Sequence, residues 1–162
     1  MRALRYAALV ALAIWTGGLI VLGVIAAPAL FDVLPARQPG EGRVLAGAVF
    51  GEVLRRFHLL SYACAGVYGL SLVTRAVLGP RPSRFVVRAI AGLAMVTATL
   101  YSGMVLAPRI AALQQQVGAS VSSLPEGDLR KAEFARLHGM SRTIELVPLL
   151  GGLALMFFEL RD

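Results

Sequence analysis

The chain has 162 residues, of which 57% are hydrophobic and only 15% are charged, and its mean hydropathy is +0.73. A soluble domain would carry about a quarter charged residues, so this composition excludes an ordinary soluble fold. The net charge of +7 does not indicate nucleic-acid binding, because the arginines flank apolar stretches instead of forming one basic face. The sequence therefore predicts an integral membrane protein whose main partner is the lipid bilayer.

Four apolar stretches are long enough to cross a bilayer, which takes about 20 residues. We predict spans at residues 6–30, 57–76, 85–107 and 143–160, within a single transmembrane domain that covers 1–162. The first stretch exceeds the roughly 7–15 apolar residues of a signal peptide, which predicts a retained span. The predicted fold class is therefore all-α, a polytopic membrane four-helix bundle.

Turn-forming and charged residues mark the predicted helix ends. The first helix is expected to end near Pro28, before a Pro/Gly-rich loop at residues 35–42 in which no helix is expected, and Pro108 is expected to close the third. Charged residues interrupt the beginnings of the second and fourth helices, at 52–58 and 129–145. These two helices are therefore predicted to project beyond the bilayer.

Arginines near the span ends predict the orientation. Four spans place both termini on one side, and the loop on that side contains arginines but no acid: Arg75, Arg81, Arg84 and Arg88. The opposite side mixes its arginines with carboxylates. Because short cytoplasmic loops carry an excess of Lys and Arg, we predict a multi-pass protein of the bacterial inner membrane with both termini in the cytoplasm.

Two pairs of residues repeat at the same gapless offset of 80. Pro28 corresponds to Pro108 (108 minus 28), and His58 corresponds to His138 (138 minus 58), the two histidines of the chain. This internal repeat is typical of a duplicated two-helix hairpin, which would place the histidines at matching depths. Identities elsewhere at this offset are thin, so coincidence is the alternative. We expect both histidines to face the bundle interior.

The two histidines, His58 and His138, are candidate cofactor or metal ligands. Neutral imidazole is the commonest metal ligand, and bundle cores hold such sites. Met104 and Met140 could add the soft sulfur atoms that Cu(I) prefers. Haem or copper would then be the cofactor. The alternative, which we favour, is that the histidines hydrogen-bond across helices while the methionines fill gaps.

A second candidate site is a polar cluster near the beginnings of the second and fourth helices. Its members are Glu52, Arg55, Arg56, Arg136, Arg142 and Glu145. Charges near lipid mark functional sites by default, so this cluster could line the anion or proton pathway of a small transporter. We favour the alternative of a salt-bridge network that joins the projecting parts of the two helices.

No catalytic motif occurs in the sequence: a phosphate-binding loop, a nucleophile elbow and a zinc-protease motif are all missing. We therefore expect no enzyme. The predicted role is that of a binding or accessory component, with other membrane proteins or a second copy of the chain as candidate partners. A haem- or copper-binding protein and a small transporter are the alternatives.

Several short motifs resemble the transmembrane protein 205-like family, a membrane domain of unknown function. They are Trp15-Thr16-Gly17-Gly18, Ala27-Pro28, Ala107-Pro108-Arg109-Ile110, and Leu137-His138 followed by Ser141. This resemblance implies a four-helix membrane domain and supplies no activity. More distantly, the chain is similar to the copper-resistance D-like four-helix membrane proteins, a likeness that implies copper or haem at the two histidines.

Overall fold

Four long helices make up the computed structural model, which describes residues 1–161; Asp162, the last residue of the predicted domain, lies outside the described residues. Six α-helices build these four: α1 (Arg2–Val21), α2 (Ala27–Arg37), α3 (Gly42–Leu78), α4 (Phe85–Tyr101), α5 (Ala107–Val117) and α6 (Leu129–Arg161). α1 continues into α2 and α4 into α5, so the long helices are Arg2–Arg37, Gly42–Leu78, Phe85–Val117 and Leu129–Arg161. No strand occurs among the described residues, which confirms the predicted all-α fold.

All four long helices exceed the thickness of a bilayer. They contain between 33 and 37 residues, and a helix of that size is about 50–55 Å long at 1.5 Å per residue. The hydrocarbon core of a bilayer is only about 30 Å thick. All four helices must therefore tilt or extend beyond the hydrocarbon, and not only the second and fourth as the sequence predicted.

The first and third long helices continue past the prolines that were expected to end them. α2 contains both Pro28 and Pro35, and α5 contains Pro108. A π-helical turn of five residues precedes each of these helices, at Leu22–Ala26 and at Ser102–Leu106. A proline ring clashes with the carbonyl group four residues before it, and the wider π turn makes room for that ring. The predicted helix ends at these prolines were therefore wrong.

The four long helices pack in a ring. α1 lies against α3 and α6, and α4 also lies against α3 and α6. The centre of the ring is filled by apolar side chains that include Leu12, Trp15, Tyr68, Met95 and Leu155. A second apolar cluster joins α5 to α6 at the end away from the termini, and it consists of Leu106, Leu113 and Leu137.

Two glycines allow polar side chains to approach a neighbouring helix closely. A Cβ atom at Gly152 of α6 would overlap the hydroxyl group of Thr16 in α1. A Cβ atom at Gly103, in the second π turn, would overlap the hydroxyl group of Tyr62 in α3. Small residues at such positions let helices pack closely in lipid. The second π turn is thereby held against the part of α3 that carries His58.

The outer surface of the ring is covered by large apolar side chains. Leu70 of α3, Leu93 of α4 and Leu150 of α6 are all exposed, together with many valines and other leucines along the same helices. Soluble monomers rarely expose continuous apolar surfaces of this kind, whereas lipid chains solvate them well. With four helices able to cross a membrane, the chain is a multi-pass membrane protein.

Candidate functional site

A polar cluster lies inside the bundle, where α3, the second π turn and α6 meet. His58 is only 4% exposed, and its Nε2 atom lies 3.5 Å from Oε1 of Glu145. The hydroxyl group of Ser102 donates a hydrogen bond of 2.6 Å to the same carboxylate oxygen. The ring of Tyr62 lies nearly parallel to that of His58, with the centroids 6.3 Å apart. We call His58, Tyr62, Ser102 and Glu145 the histidine cluster.

The histidine cluster is incompletely hydrogen-bonded. The 3.5 Å contact between His58 and Glu145 is longer than the about 2.7–3.2 Å of a normal N–H···O bond. Nε2 of His58 has no hydrogen-bond partner among the described residues. A buried nitrogen in this state has lost its hydrogen bonds to water without replacement, which costs free energy. This unsatisfied nitrogen is a candidate contact for a small polar ligand.

The second histidine has a different environment. His138 is exposed, its ring stacks on Phe134 with the centroids 6.0 Å apart, and it lines a surface depression with Lys131 and Arg142. The expectation that both histidines face the interior is therefore wrong for His138. Its neighbour Leu137 packs against α5, and successive helical residues point about 100° apart, so His138 turns away from that contact.

The candidate metal ligands are not gathered at one place. Met104 and Met140 are exposed, whereas Cys64 is buried in the central apolar core. Within residues 1–161, no group of three or more His, Cys, Asp or Glu side chains could hold a metal ion. His58 also packs closely against Gly103, since a Cβ atom there would lie 3.0 Å from its Cγ atom. That contact leaves no slot for a haem on this side of the imidazole.

The predicted polar cluster is divided between different surfaces. Glu52 binds Arg55 and Arg56 at 2.7 Å each, and all three lie on the outer face of α3. Partners three and four residues apart on one helix reach each other with little loss of side-chain freedom, which explains why these arginines do not bridge to α6. The remaining members lie on α6: Arg136 and Arg142 are exposed, and Glu145 belongs to the histidine cluster.

A second polar cluster lies at the end that carries the termini. Arg75 of α3 and Arg88 of α4, which the sequence analysis counted with the loop between the second and third spans, are buried and bind Glu159 of α6 at 2.7 and 2.8 Å. Arg88 also donates to the carbonyl oxygen of Phe158 at 2.9 Å. Nε of Arg5 in α1 donates to the carbonyl oxygen of Glu159 at 2.6 Å. We call Arg75, Arg88 and Glu159 the arginine cluster, and with Arg5 it joins all four long helices.

The sequence interpretation missed this cluster because it counted Arg75 and Arg88 only toward the orientation. One feature of the sequence points to it: Glu159 is the one carboxylate in the otherwise apolar stretch 146–160. A carboxylate in such a stretch needs a cationic partner when it is buried. The arginines nearest the ends of the adjoining helices are the groups that can reach it.

The fold and the two buried clusters define a four-helix integral membrane protein. Residues 10–119 match DUF4149, a domain of unknown function, and the chain belongs to this family. No curated protein and no solved structure matches the chain. The matched segment contains His58 and Ser102 but ends before α6, which supplies Glu145 and Glu159. The resemblances to the transmembrane protein 205-like and copper-resistance D-like families are not confirmed by this match.

Proposed function

We propose that this protein is a non-catalytic binding or accessory component of the bacterial inner membrane. The observation that supports this role is the state of the histidine cluster, where an imidazole nitrogen with no hydrogen-bond partner among residues 1–161 faces a carboxylate inside an apolar bundle. Ionisable groups within membrane-spanning helices are costly, and they mark binding sites or ion pathways by default. The arginine cluster is already paired and serves the packing of the helices.

The histidine cluster favours a small polar ligand. Oε1 of Glu145 accepts the hydrogen bond from Ser102, which leaves its second oxygen and Nε2 of His58 to contact a ligand. The side chain of Glu145 is 21% exposed, so a ligand could enter from the bundle surface. The buried imidazole would then provide one hydrogen bond in a region of low dielectric constant, where such bonds are strong.

The test is native mass spectrometry of the full chain purified from bacterial inner membranes, combined with an absorption spectrum and metal analysis. We expect a small ligand that the wild type retains and that His58→Gln and Glu145→Gln lose. His138→Gln and Glu52→Gln make the same changes outside the cluster and should retain it. A wild type without ligand, or an equal loss in the control variants, would contradict the proposal. A haem spectrum or stoichiometric copper would identify the ligand.

We also propose that both termini lie in the cytoplasm. The end that carries the termini has seven basic side chains, namely Arg2, Arg5, Arg75, Arg81, Arg84, Arg88 and Arg161. Orientation follows the Lys and Arg of short loops near the span ends. The loop 79–84 between α3 and α4 contains Arg81 and Arg84, whereas the loops 38–41 and 118–128 at the other end contain no basic residue. A reporter fused after Asp162 should be cytoplasmic and one inserted at Gly118 periplasmic; the reverse result would invert the orientation.

We further propose that the chain arose by duplication of a two-helix hairpin. The two π turns begin at Leu22 and Ser102, again 80 residues apart (102 minus 22), and each precedes an α-helix of 11 residues. π turns are rare, so two at the offset of the histidine pair support a common origin. Amide hydrogen exchange should show each turn exchanging faster than its own flanking helices, and a turn as protected as the helices around it would remove this support for duplication.

A further inference from the structure

Three exposed arginines at the end with the termini are held over phenylalanine rings. The guanidinium carbon of Arg81 lies 4.7 Å from the centroid of Phe85. That of Arg84 lies 5.6 Å from the centroid of Phe158. Arg161 is the closest, with its guanidinium 4.1 Å from the centroid of Phe157. We call Arg81, Arg84 and Arg161 the arginine collar.

The collar has no anionic partner within the part of the chain that the structure describes. Glu159 is the one acidic side chain at this end among residues 1–161, and it is 1% exposed with its two oxygens bound to Arg75 and Arg88. Arg81 and Arg84 are three residues apart, and the rings beneath Arg84 and Arg161 have centroids 6.2 Å apart, so these positive charges are close enough to repel one another. An external anion would remove that repulsion and is therefore the ligand that the charge distribution favours.

Stacking prepares these guanidinium groups to bind an oxyanion. A ring beneath the guanidinium face limits its rotation and leaves the N–H groups at its edge available. Those edge donors match the oxygens of a phosphate, which arginine binds in a bidentate manner. The aromatic rings lie at the ends of apolar helices, since Phe85 begins α4 and Phe157 is near the end of α6. The ends of membrane-spanning helices reach the headgroup region of a bilayer, where the phosphate groups lie.

We propose that the arginine collar binds the phosphate group of an anionic phospholipid. The site joins two helices, because Arg84 precedes α4 while Phe158 and Arg161 belong to α6. The ring of Phe158 also contacts Arg88 of the arginine cluster at 5.8 Å. A lipid bound to the collar would therefore stabilise the α4–α6 contact directly above the buried ion pairs. The proposal holds for either leaflet and does not depend on the orientation proposed above.

The test compares the full chain in nanodiscs of phosphatidylcholine alone and with phosphatidylglycerol added, by thermal unfolding and by lipid retention in native mass spectrometry. Phosphatidylglycerol should raise the unfolding temperature and remain bound. Each Arg→Gln change in the collar should weaken retention about fivefold, since one basic residue contributes roughly that much to anionic lipid binding. The triple variant R81Q/R84Q/R161Q should lose the effect, whereas R37Q/R109Q/R136Q, which removes three positive charges from exposed arginines at the opposite end, should keep it.

Arg84→Asn distinguishes binding from folding. Arg84 has a φ of 50°, in the left-handed region that asparagine tolerates better than arginine. This variant should unfold in phosphatidylcholine at or above the wild-type temperature and still lose phosphatidylglycerol retention. Equal stability of the wild type in both lipids would overturn the proposal, as would an equal loss in the opposite-end triple variant. Stabilisation by millimolar inorganic phosphate in phosphatidylcholine discs would overturn the assignment to a lipid.

Discussion

The arginine cluster and the histidine cluster are both buried polar groups in an apolar bundle, yet they differ in how completely they are paired. In the arginine cluster both oxygens of Glu159 bind guanidinium groups at 2.7 and 2.8 Å. In the histidine cluster Nε2 of His58 stops 3.5 Å from Glu145 and forms no hydrogen bond with a described residue. Charged groups enter lipid only at a cost. We infer that ion pairs offset that cost in the first cluster and that the second cluster retains capacity for a ligand.

The largest expected effect comes from removing the charge of Glu159. Glu159→Gln leaves two buried guanidinium groups around a neutral side chain, and breaking a buried ion pair costs about 3–5 kcal/mol. Glu145→Gln should cost less than about 1 kcal/mol, because the Glu145 side chain is partly exposed and the amide oxygen can still accept from Ser102. Denaturant unfolding in detergent micelles measures both. Equal losses would show that the two clusters do not differ as proposed.

Gly103→Ala tests whether the second π turn holds the histidine cluster. The added methyl group would overlap the Tyr62 hydroxyl group and crowd the His58 ring, and overpacking of this kind costs about 1–3 kcal/mol. Gly23 is the matched control, since it occupies the equivalent place in the first π turn and a Cβ atom there meets nothing within 4 Å. Gly23→Ala should leave the unfolding free energy unchanged or raise it. A loss as large at Gly23 would mean that the effect belongs to π turns in general.

Ser102→Ala removes the hydrogen bond of 2.6 Å that Glu145 accepts from Ser102. Hydrogen bonds to charged groups contribute about 1.5–3 kcal/mol, and partial exposure of the carboxylate should reduce the loss to about 1 kcal/mol. The control is Thr143→Ala, because Thr143 lies two residues before Glu145 and on the exposed side of α6. It should change stability by less than about 0.5 kcal/mol. Thermal unfolding in nanodiscs compares the pair. If Ser102→Ala unfolds at the wild-type temperature, water must replace the hydrogen bond from Ser102 to Glu145.

The smallest effect concerns the loop before α6, far from both clusters. Asp128 accepts hydrogen bonds from the side chain and backbone of Arg130, which hold the pKa of Asp128 below its usual 3.8. Because this pKa is lowered in the folded state, the stabilisation is present at neutral pH and disappears as the pH falls through the lowered pKa. Hydrogen exchange of residues 129–133, corrected for intrinsic rates, should accelerate only in strong acid. Asp128→Ala, which removes the acceptor, should exchange faster at neutral pH. Unchanged exchange in this variant would show that Asp128 does not stabilise the first turn of α6.

The helices were predictable because hydropathy and length determine them. The start of α6 at Leu129 and the end of α3 near the Gly79–Pro82 turn follow from charged and turn-forming residues alone. The continuation of the helices through Pro28 and Pro108 was not predictable, because proline is normally read as the end of a helix. Only a π turn with neighbouring helices around it allows the chain to remain helical there.

The sites were harder to predict than the helices. His58 and His138 repeat at one offset and have the same chemistry, but one is buried and the other is exposed. The difference arises from their neighbours: the second π turn packs on α3 beside His58, whereas α5 reaches α6 at Leu137 and leaves His138 outside. Sequence spacing gives the position of a residue along one helix. It does not specify which neighbouring helix covers the face of the helix that carries this residue.

The sequence by itself determined that the chain is a membrane protein of four helices, because about 20 apolar residues in a row are unstable in any other solvent. Only the tertiary structure decided which of its charges are buried. In the sequence, Arg75 and Arg88 flank a basic loop. In the fold they bind Glu159, because the ends of α3, α4 and α6 meet at one side of the bundle. The energy of a charge in lipid depends on the distance to its counter-charge, and that distance is set by packing between helices that are far apart in sequence.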